Sequence, residues 1–181
     1  MTSERTAPIF FAPFVSSIMQ VEPAWIDYNG HMNMAYYHVL FDRTVDEAFG
    51  LIGLGQSYVA ECKASFFAAE IHTLYKRELT VRDAVRATLQ LVDYDEKRIH
   101  YYMEIRQATE GWVAATMEGL SLHVDLETRR VSPFPDEIAA NLAVMKAAHA
   151  RLARPQALGR AIGIRARSDP PDARLASGTR H

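Results

Sequence analysis

The feature that most constrains this chain is a change of hydrophobic period near residue 55. Upstream, apolar residues fall at Met34, Tyr37, Phe41, Val45, Ala48, Phe49 and Ile52. Three-and-four spacing sustained that far is the pattern of an amphipathic helix with one buried face. Asn33 stands where an N-cap belongs, and Gly50, Gly53 and Gly55 supply the stop. His38, Asp42, Arg43, Asp46 and Glu47 fill the opposite face. Downstream the period becomes two. SFFAAEIHTLYKREL sets Phe67, Ala69, Ile71, Thr73 and Tyr75 against Phe66, Ala68, Glu70, His72 and Leu74. AVRATLQLVDY, RIHYYMEIRQA and WVAATMEGLSLHVDL alternate likewise, with turns at DYDEK, TEG and ETRR. Short turns between alternating runs predict antiparallel hairpins. One long helix followed by such strands predicts an α+β fold.

The flanks add less. Residues 1–14 are expected to be an irregular lead-in, residues 15–167 one domain and residues 168–181 a flexible tail of polar, proline-containing composition. SSIMQVEPAW is expected to form a first strand ending near Pro23. Pro133 and Pro135 end the sheet, and DEIAANLAVMKAAHARLA predicts a second helix with Ile138, Leu142, Met145 and His149 on one side. ALGRAIGIRA is expected to add a last short strand.

Several functional classes lose ground on composition. A net charge of −2 argues against a general nucleic-acid binder. The apolar run near the N-terminus is too short for a membrane span, and no membrane partner is expected. Cys62, the one cysteine, has no disulfide partner within the chain, and no spacing of metal-ligand type exists, so a cytoplasmic protein is expected. There is no Gly-x-Ser-x-Gly elbow and no Gly-rich phosphate loop. Neither a metal nor a cofactor is implied.

The stretch that invites chemistry is AWIDYNGHMNMAYY, residues 24–37. Asp27 is a turn-former by residue type, Gly30 frees the backbone, and the helix that follows presents unpaired amides at its start. An acid beside a helix N-terminus can serve a reaction in which negative charge builds on an oxygen.

WIDYNGHMNMAYY, followed by helix and hairpins, resembles the hotdog-fold acyl-CoA thioesterases of the 4-hydroxybenzoyl-CoA thioesterase type. That family shows Asp-x-x-Gly-His-x-Asn before its central helix, matched here by Asp27, Gly30, His31 and Asn33, with Tyr36 after. SFFAAEIHTLYKREL, DYDEKRIHYYMEI, EGLSLHVDLETRRVSPFP and LGRAIGI look like the branch linked to carnitine breakdown, which acts on betainyl-CoA and is sometimes fused to a carnitine dehydrogenase. The resemblance covers roughly residues 15–165. It departs from the wider family at Trp25, where many members carry a second acid, and at Met34, where many have a second Asn.

The resemblance implies a long central helix wrapped by a curved antiparallel sheet of five to six strands, and hydrolysis of a short acyl-CoA. Asp27 then acts as nucleophile or general base, the Met34 amide as oxyanion donor, and His31 and Asn33 complete the catalytic turn. Trp25, Tyr28, Gly30, Tyr36, Glu70 and His72 are the expected substrate-binding residues. Trp112 and Tyr101 or Tyr102 are candidates to complete an aromatic cage for a trimethylammonium group, with Asp42, Asp46 or Glu47 adding negative field. Lys76, Arg77, Arg82, Lys97, Arg98, Arg129 and Arg130 are candidates to meet CoA phosphates. A homodimer or homotetramer with its active site between subunits is expected. Two rival readings remain at this level: an acyl-CoA hydratase or dehydratase built on His38, Asp42 and Glu47, and a non-catalytic acyl-CoA-binding module.

Overall fold

The computed structural model describes residues 9–163. The predicted central helix is α1, Met34–Leu51, burying Tyr37, Leu40, Phe41, Thr44, Val45, Ala48 and Phe49. Asn33 caps it, Oδ1 accepting the Ala35 amide at 3.0 Å. The hairpin strands are β3 (Ala64–Tyr75), β4 (Ala84–Tyr94), β5 (Arg98–Gln107) and β6 (Val113–Asp125). The expected N-terminal strand is two short ones, β1 (Phe14–Val15) and β2 (Met19–Gln20), followed by a 3-10 turn at Pro23–Trp25. β7 (Arg130–Val131) pairs with β6, and α3 spans Asp136–His149. A helix not anticipated from sequence, α2 (Gln56–Cys62), follows the glycines. The expected last strand does not form where it is described: 156–159 is a turn and 160–163 is irregular. The remainder of that segment and the expected tail at 168–181 lie outside the described residues.

All pairings are antiparallel in one open sheet of order β1-β4-β5-β6-β3, with β2 also on β4. α1 crosses one face. Leu40, Phe41, Phe49 and Ile52 meet Leu89, Leu91, Met103 and Ile105 in a fully buried layer. Each such side chain contributes about 1.5–3 kcal/mol by leaving water, so this layer fixes which sheet face carries the helix. Gly119 lies opposite Tyr101 across β5 and β6. A Cβ there would sit 2.5–2.7 Å from the Tyr101 ring, so the missing side chain is what lets that ring lie across β6. The Tyr101 hydroxyl then reaches Ser121 Oγ at 3.3 Å, and Phe49 meets the ring edge-on at 5.6 Å.

Strict alternation is broken in β3, as it is between Leu91 and Asp93 of β4 and where Ile105 and Arg106 of β5 meet β6. The register with β6 shifts between Ala68 and Glu70, leaving an extra residue at Ala69. A bulge reverses which parity faces the core. Before it Phe66 points inward, edge-on to Phe49 at 4.8 Å. After it Tyr75 points inward, reaching α1, while Glu70 and His72 face the side away from the helix.

Candidate active site

Backbone bonds build the turn that carries Asp27. Ile26 and Met32 form a bridge, Asp27 N–H donates to the His31 carbonyl at 3.0 Å, and Asn33 N–H donates to Trp25 at 2.9 Å. Gly30 N–H closes the tip onto the Asp27 carbonyl at 3.0 Å, at a positive φ of 81° that favours glycine. The loop is tied down by Met32, buried, whose amide donates to Leu79 at 2.7 Å. Asp27 is thereby held in a small hairpin whose return arm runs straight into α1.

The Asp27 carboxylate divides its duties. Oδ1 accepts the Asn29 amide at 2.8 Å and holds the turn, while Oδ2 has no partner among the described residues. The first amides of α1 divide likewise. Ala35 is satisfied by Asn33 Oδ1 and Tyr36 by the Asn33 carbonyl, both at 3.0 Å. Met34 N–H, first in the helix, has no intrahelical acceptor, and none is found for it among the described residues. One unoccupied carboxylate oxygen and one unoccupied amide at a helix N-terminus therefore belong to the same short loop.

The other expected residues scatter more. His31 pairs through Nε2 with Glu78 at 3.1 Å, not with Asp27. Tyr28 is 97% exposed at the turn tip. Trp25 is buried: its ring stacks on Tyr36 at 5.5 Å and lies 5.2 Å beneath the Arg43 guanidinium, so it packs the base of the loop. Glu70 and His72 line a cavity of about 580 Å³ on the sheet face away from α1, together with His100 and Glu118, which pair at 2.8 Å. Trp112 is covered by Arg77 at 4.0 Å. Among the proposed CoA-contacting cations, Lys97 pairs with Glu96 at 3.0 Å and Arg98 with Asp95 at 2.5 Å.

Sequence reasoning missed Tyr75. Its hydroxyl donates to the Met34 carbonyl at 3.3 Å and lies 3.2 Å from His38 Nε2, joining β3 to the first turn of α1. A second cavity, of about 500 Å³, opens along α1 from there, lined by His38, Asp42, Val45, Phe66, Ile71 and Tyr101 among others. The His–acid pair that a hydratase would need on α1 is not assembled. His38 turns to Tyr75, and Glu47 accepts the Ser17 amide at 2.8 Å. No group of His, Cys, Asp and Glu among the described residues forms a metal site, and no described helix is long and apolar enough to cross a membrane.

An antiparallel sheet laid on one long helix, with an acid loop at that helix's N-terminus, defines a hotdog-fold protein. The chain belongs to the thioesterase-like superfamily, whose model matches residues 21–142. It is 40% identical over 144 residues to an L-carnitine dehydrogenase/betainyl-CoA thioesterase of Rhizobium meliloti, covering 80% of this chain but 29% of that protein. It is 33% identical over 144 residues to the betainyl-CoA thioesterase of Pseudomonas aeruginosa, covering 80% of this chain and 91% of that one. Among solved structures, a Staphylococcus aureus protein in complex with CoA matches with a TM-score of 0.80 at 28% identity, over 87% of this chain and 98% of that one. A putative thioesterase from Pseudomonas putida matches at 0.75 and 28% identity, over 86% and 99%.

Proposed function

We propose that the chain is an acyl-CoA thioesterase that hydrolyses betainyl-CoA to betaine and CoA. The observation that carries the chemistry is the pairing of a free Asp27 Oδ2 with a free Met34 amide on one loop. The relatives' names supply the substrate, since fold and loop serve many acyl groups. The thioester carbonyl oxygen takes the Met34 N–H, whose donation strengthens as negative charge builds there. Asp27 either attacks the carbonyl carbon, giving an anhydride that water cleaves, or removes a proton from the attacking water. Either way one water is consumed, the C–S bond breaks, and the proton ends on the CoA sulfur. A single turnover in ¹⁸O water separates the routes: label enters the Asp27 carboxylate only through the anhydride.

The site is completed by a second copy. Neither large cavity includes Asp27 in its lining, and among the described residues no strand pairs with the outer edge of β3. That edge spans 12 residues, exposes Phe67, Ile71 and Tyr75 to about half, and contains no proline or lysine. Such an edge invites another strand, and pairing of two β3 edges follows the usual two-fold logic.

Two variants test the mechanism by thiol release from betainyl-CoA. Asp27→Asn is expected to lower kcat by about 10²–10⁴-fold, and undiminished turnover overturns the reading. Met34→Pro removes only the amide proton while keeping the helix, because proline is accepted at the first helical position. Asn33 already has the extended backbone, φ −59° and ψ 142°, that a following proline demands. With Met34→Ala as control, Met34→Pro is expected to cost about 10²–10³-fold in kcat, the scale of one lost oxyanion donor.

A further inference from the structure

One short strip of chain, residues 75–79 at the end of β3 and just beyond, ties down both the acid loop and the start of α1. The Leu79 carbonyl takes the amide of buried Met32 at 2.7 Å. Glu78 pairs with His31 at 3.1 Å. Tyr37, in the first turn of α1, sets its hydroxyl 3.5 Å from the Arg77 carbonyl and its ring edge-on to Tyr75 at 5.2 Å. Tyr75 itself reaches the residue whose amide is left free, with its hydroxyl 3.3 Å from the Met34 carbonyl. Leu79 and Glu78 hold the loop, whereas Tyr75 holds the residue that the chemistry uses.

The protons in this contact can be placed. A carbonyl only accepts, so the single Tyr75 hydroxyl proton points at Met34. The Tyr75 oxygen then faces His38 Nε2 at 3.2 Å as an acceptor, which puts a proton on that nitrogen. The run is therefore His38 Nε2–H to Tyr75, then Tyr75 O–H to Met34. Burial pushes the Tyr75 hydroxyl above its ordinary value of 10.0, so it keeps its proton at neutral pH. The helix gives the Met34 carbonyl to the amide four residues on, and Tyr75 adds a second donor from the sheet on the other lone pair. Only the φ and ψ of Met34 lie between that carbonyl and its own amide. On the other side, Asn33 N–H is bound to Trp25 at 2.9 Å and Asn33 Oδ1 to Ala35 at 3.0 Å. Met34 is thus fixed from both sides, and its N–H is held in one direction. A donor aimed in advance is what stabilises charge on a developing oxyanion, because no reorganisation is needed during the reaction. We infer that Tyr75 is a positioning residue: from the edge of β3 it holds the first turn of α1 so that the Met34 amide is aimed at the substrate carbonyl. The inference rests on the thioesterase reading for the use made of that amide.

Tyr75→Phe removes only the hydroxyl and keeps the ring against Tyr37. It is expected to lower kcat on betainyl-CoA about tenfold, the scale of one lost hydrogen bond felt as misaimed geometry. KM should stay within about twofold, because the aimed amide acts in the transition state. The deciding comparison repeats Tyr75→Phe in the Met34→Pro protein, which has no amide proton left to aim. There the hydroxyl is expected to matter by less than about twofold. A loss confined to KM, a kcat loss below about twofold in the wild-type background, or an equal loss in both backgrounds overturns the assignment. A second measurement needs no substrate: the ¹⁵N heteronuclear NOE of the Met34 amide. It is expected to fall in Tyr75→Phe while the amides of α3 keep theirs. A Met34 amide as ordered in Tyr75→Phe as in the wild type overturns the role of Tyr75 even if hydrolysis through Asp27 is confirmed. An amide that loosens in a protein that turns over no thioester upholds the tie and sinks the thioesterase reading instead.

Discussion

The two ends of the sheet are treated in opposite ways. At the β4 end the chain covers its own edge. β1 and β2 pair along β4, and where they stop α3 takes over with side chains. The Leu91 amide donates to His149 Nδ1 at 2.9 Å, and Lys146 Nζ donates to the Val92 carbonyl. His149 is only 2% exposed, and its Nε2 donates to the Phe11 carbonyl at 2.9 Å, tying the N-terminal segment down too. At the β3 end nothing within the described chain plays that part. Half-exposed Phe67, Ile71 and Tyr75 remain, and here too is Thr73, whose Oγ1 is the buried side-chain polar atom left without a partner among the described residues. A chain able to finish one edge so thoroughly leaves the other bare near the start of α1. On the proposed function, the bare end is the working end.

The largest effect is expected from spoiling that end. Ile71→Lys puts an inward-facing charge on the open edge, the device by which natural edge strands refuse partners. It is expected to shift the protein from dimer or tetramer to monomer in sedimentation velocity and to cut betainyl-CoA hydrolysis by about 30-fold or more, as loss of a central interface residue does. Val144→Lys, on the exposed face of α3, is the control and should change neither. An Ile71→Lys protein that stays associated and active breaks the contrast between the two ends.

That contrast was only partly legible in the sequence. The three-and-four spacing from Met34 located α1 to within a residue, because one buried stripe against a sheet leaves that imprint. The alternating runs located β4, β5 and β6 for the same reason. The turn at Asp27 and the Asn33 cap were visible because their residue types have few other uses together. Three things were hidden. The β3 bulge falls within Phe66-Phe67-Ala68-Ala69, where both faces are apolar and periodicity carries no phase. Glu70 and His72, expected among the substrate-binding residues, follow the bulge and line the cavity on the sheet face away from α1. Trp25 was available to any aromatic role, and only the fold shows Tyr36 and Arg43 upon it. Helix α2 is seven residues long between glycines and the bulged strand, too short for a periodic signal, and it is anchored by Tyr58, whose hydroxyl meets buried His123 Nε2 at 2.7 Å.

The smaller effect belongs to the closed end and has a definite pH signature. Burial pushes the His149 imidazole below its ordinary value of 6.5, with the hydrogen bond to Phe11 pulling partly back. Its neutral form is the one the site uses, since Nδ1 must accept from Leu91 while Nε2 donates to Phe11. As pH falls through 6.5 the unfolded chain takes up this proton first, so His149's contribution is complete above that pH and is lost as pH drops toward the lower folded value. At about pH 8, His149→Ala leaves the Leu91 amide and the Phe11 carbonyl without their partner and is expected to cost about 2 kcal/mol, or about 4–8 °C in Tm. His149→Gln offers an acceptor and a donor that do not titrate. It should recover part of that loss at about pH 8 and flatten the fall in Tm between about pH 7 and pH 5 relative to wild type. Neither variant should change the association state seen in sedimentation velocity, because α3 closes the edge remote from β3. A change in that state would mean that the two ends of the sheet are coupled, and that the bare edge is not left open independently of the closed one.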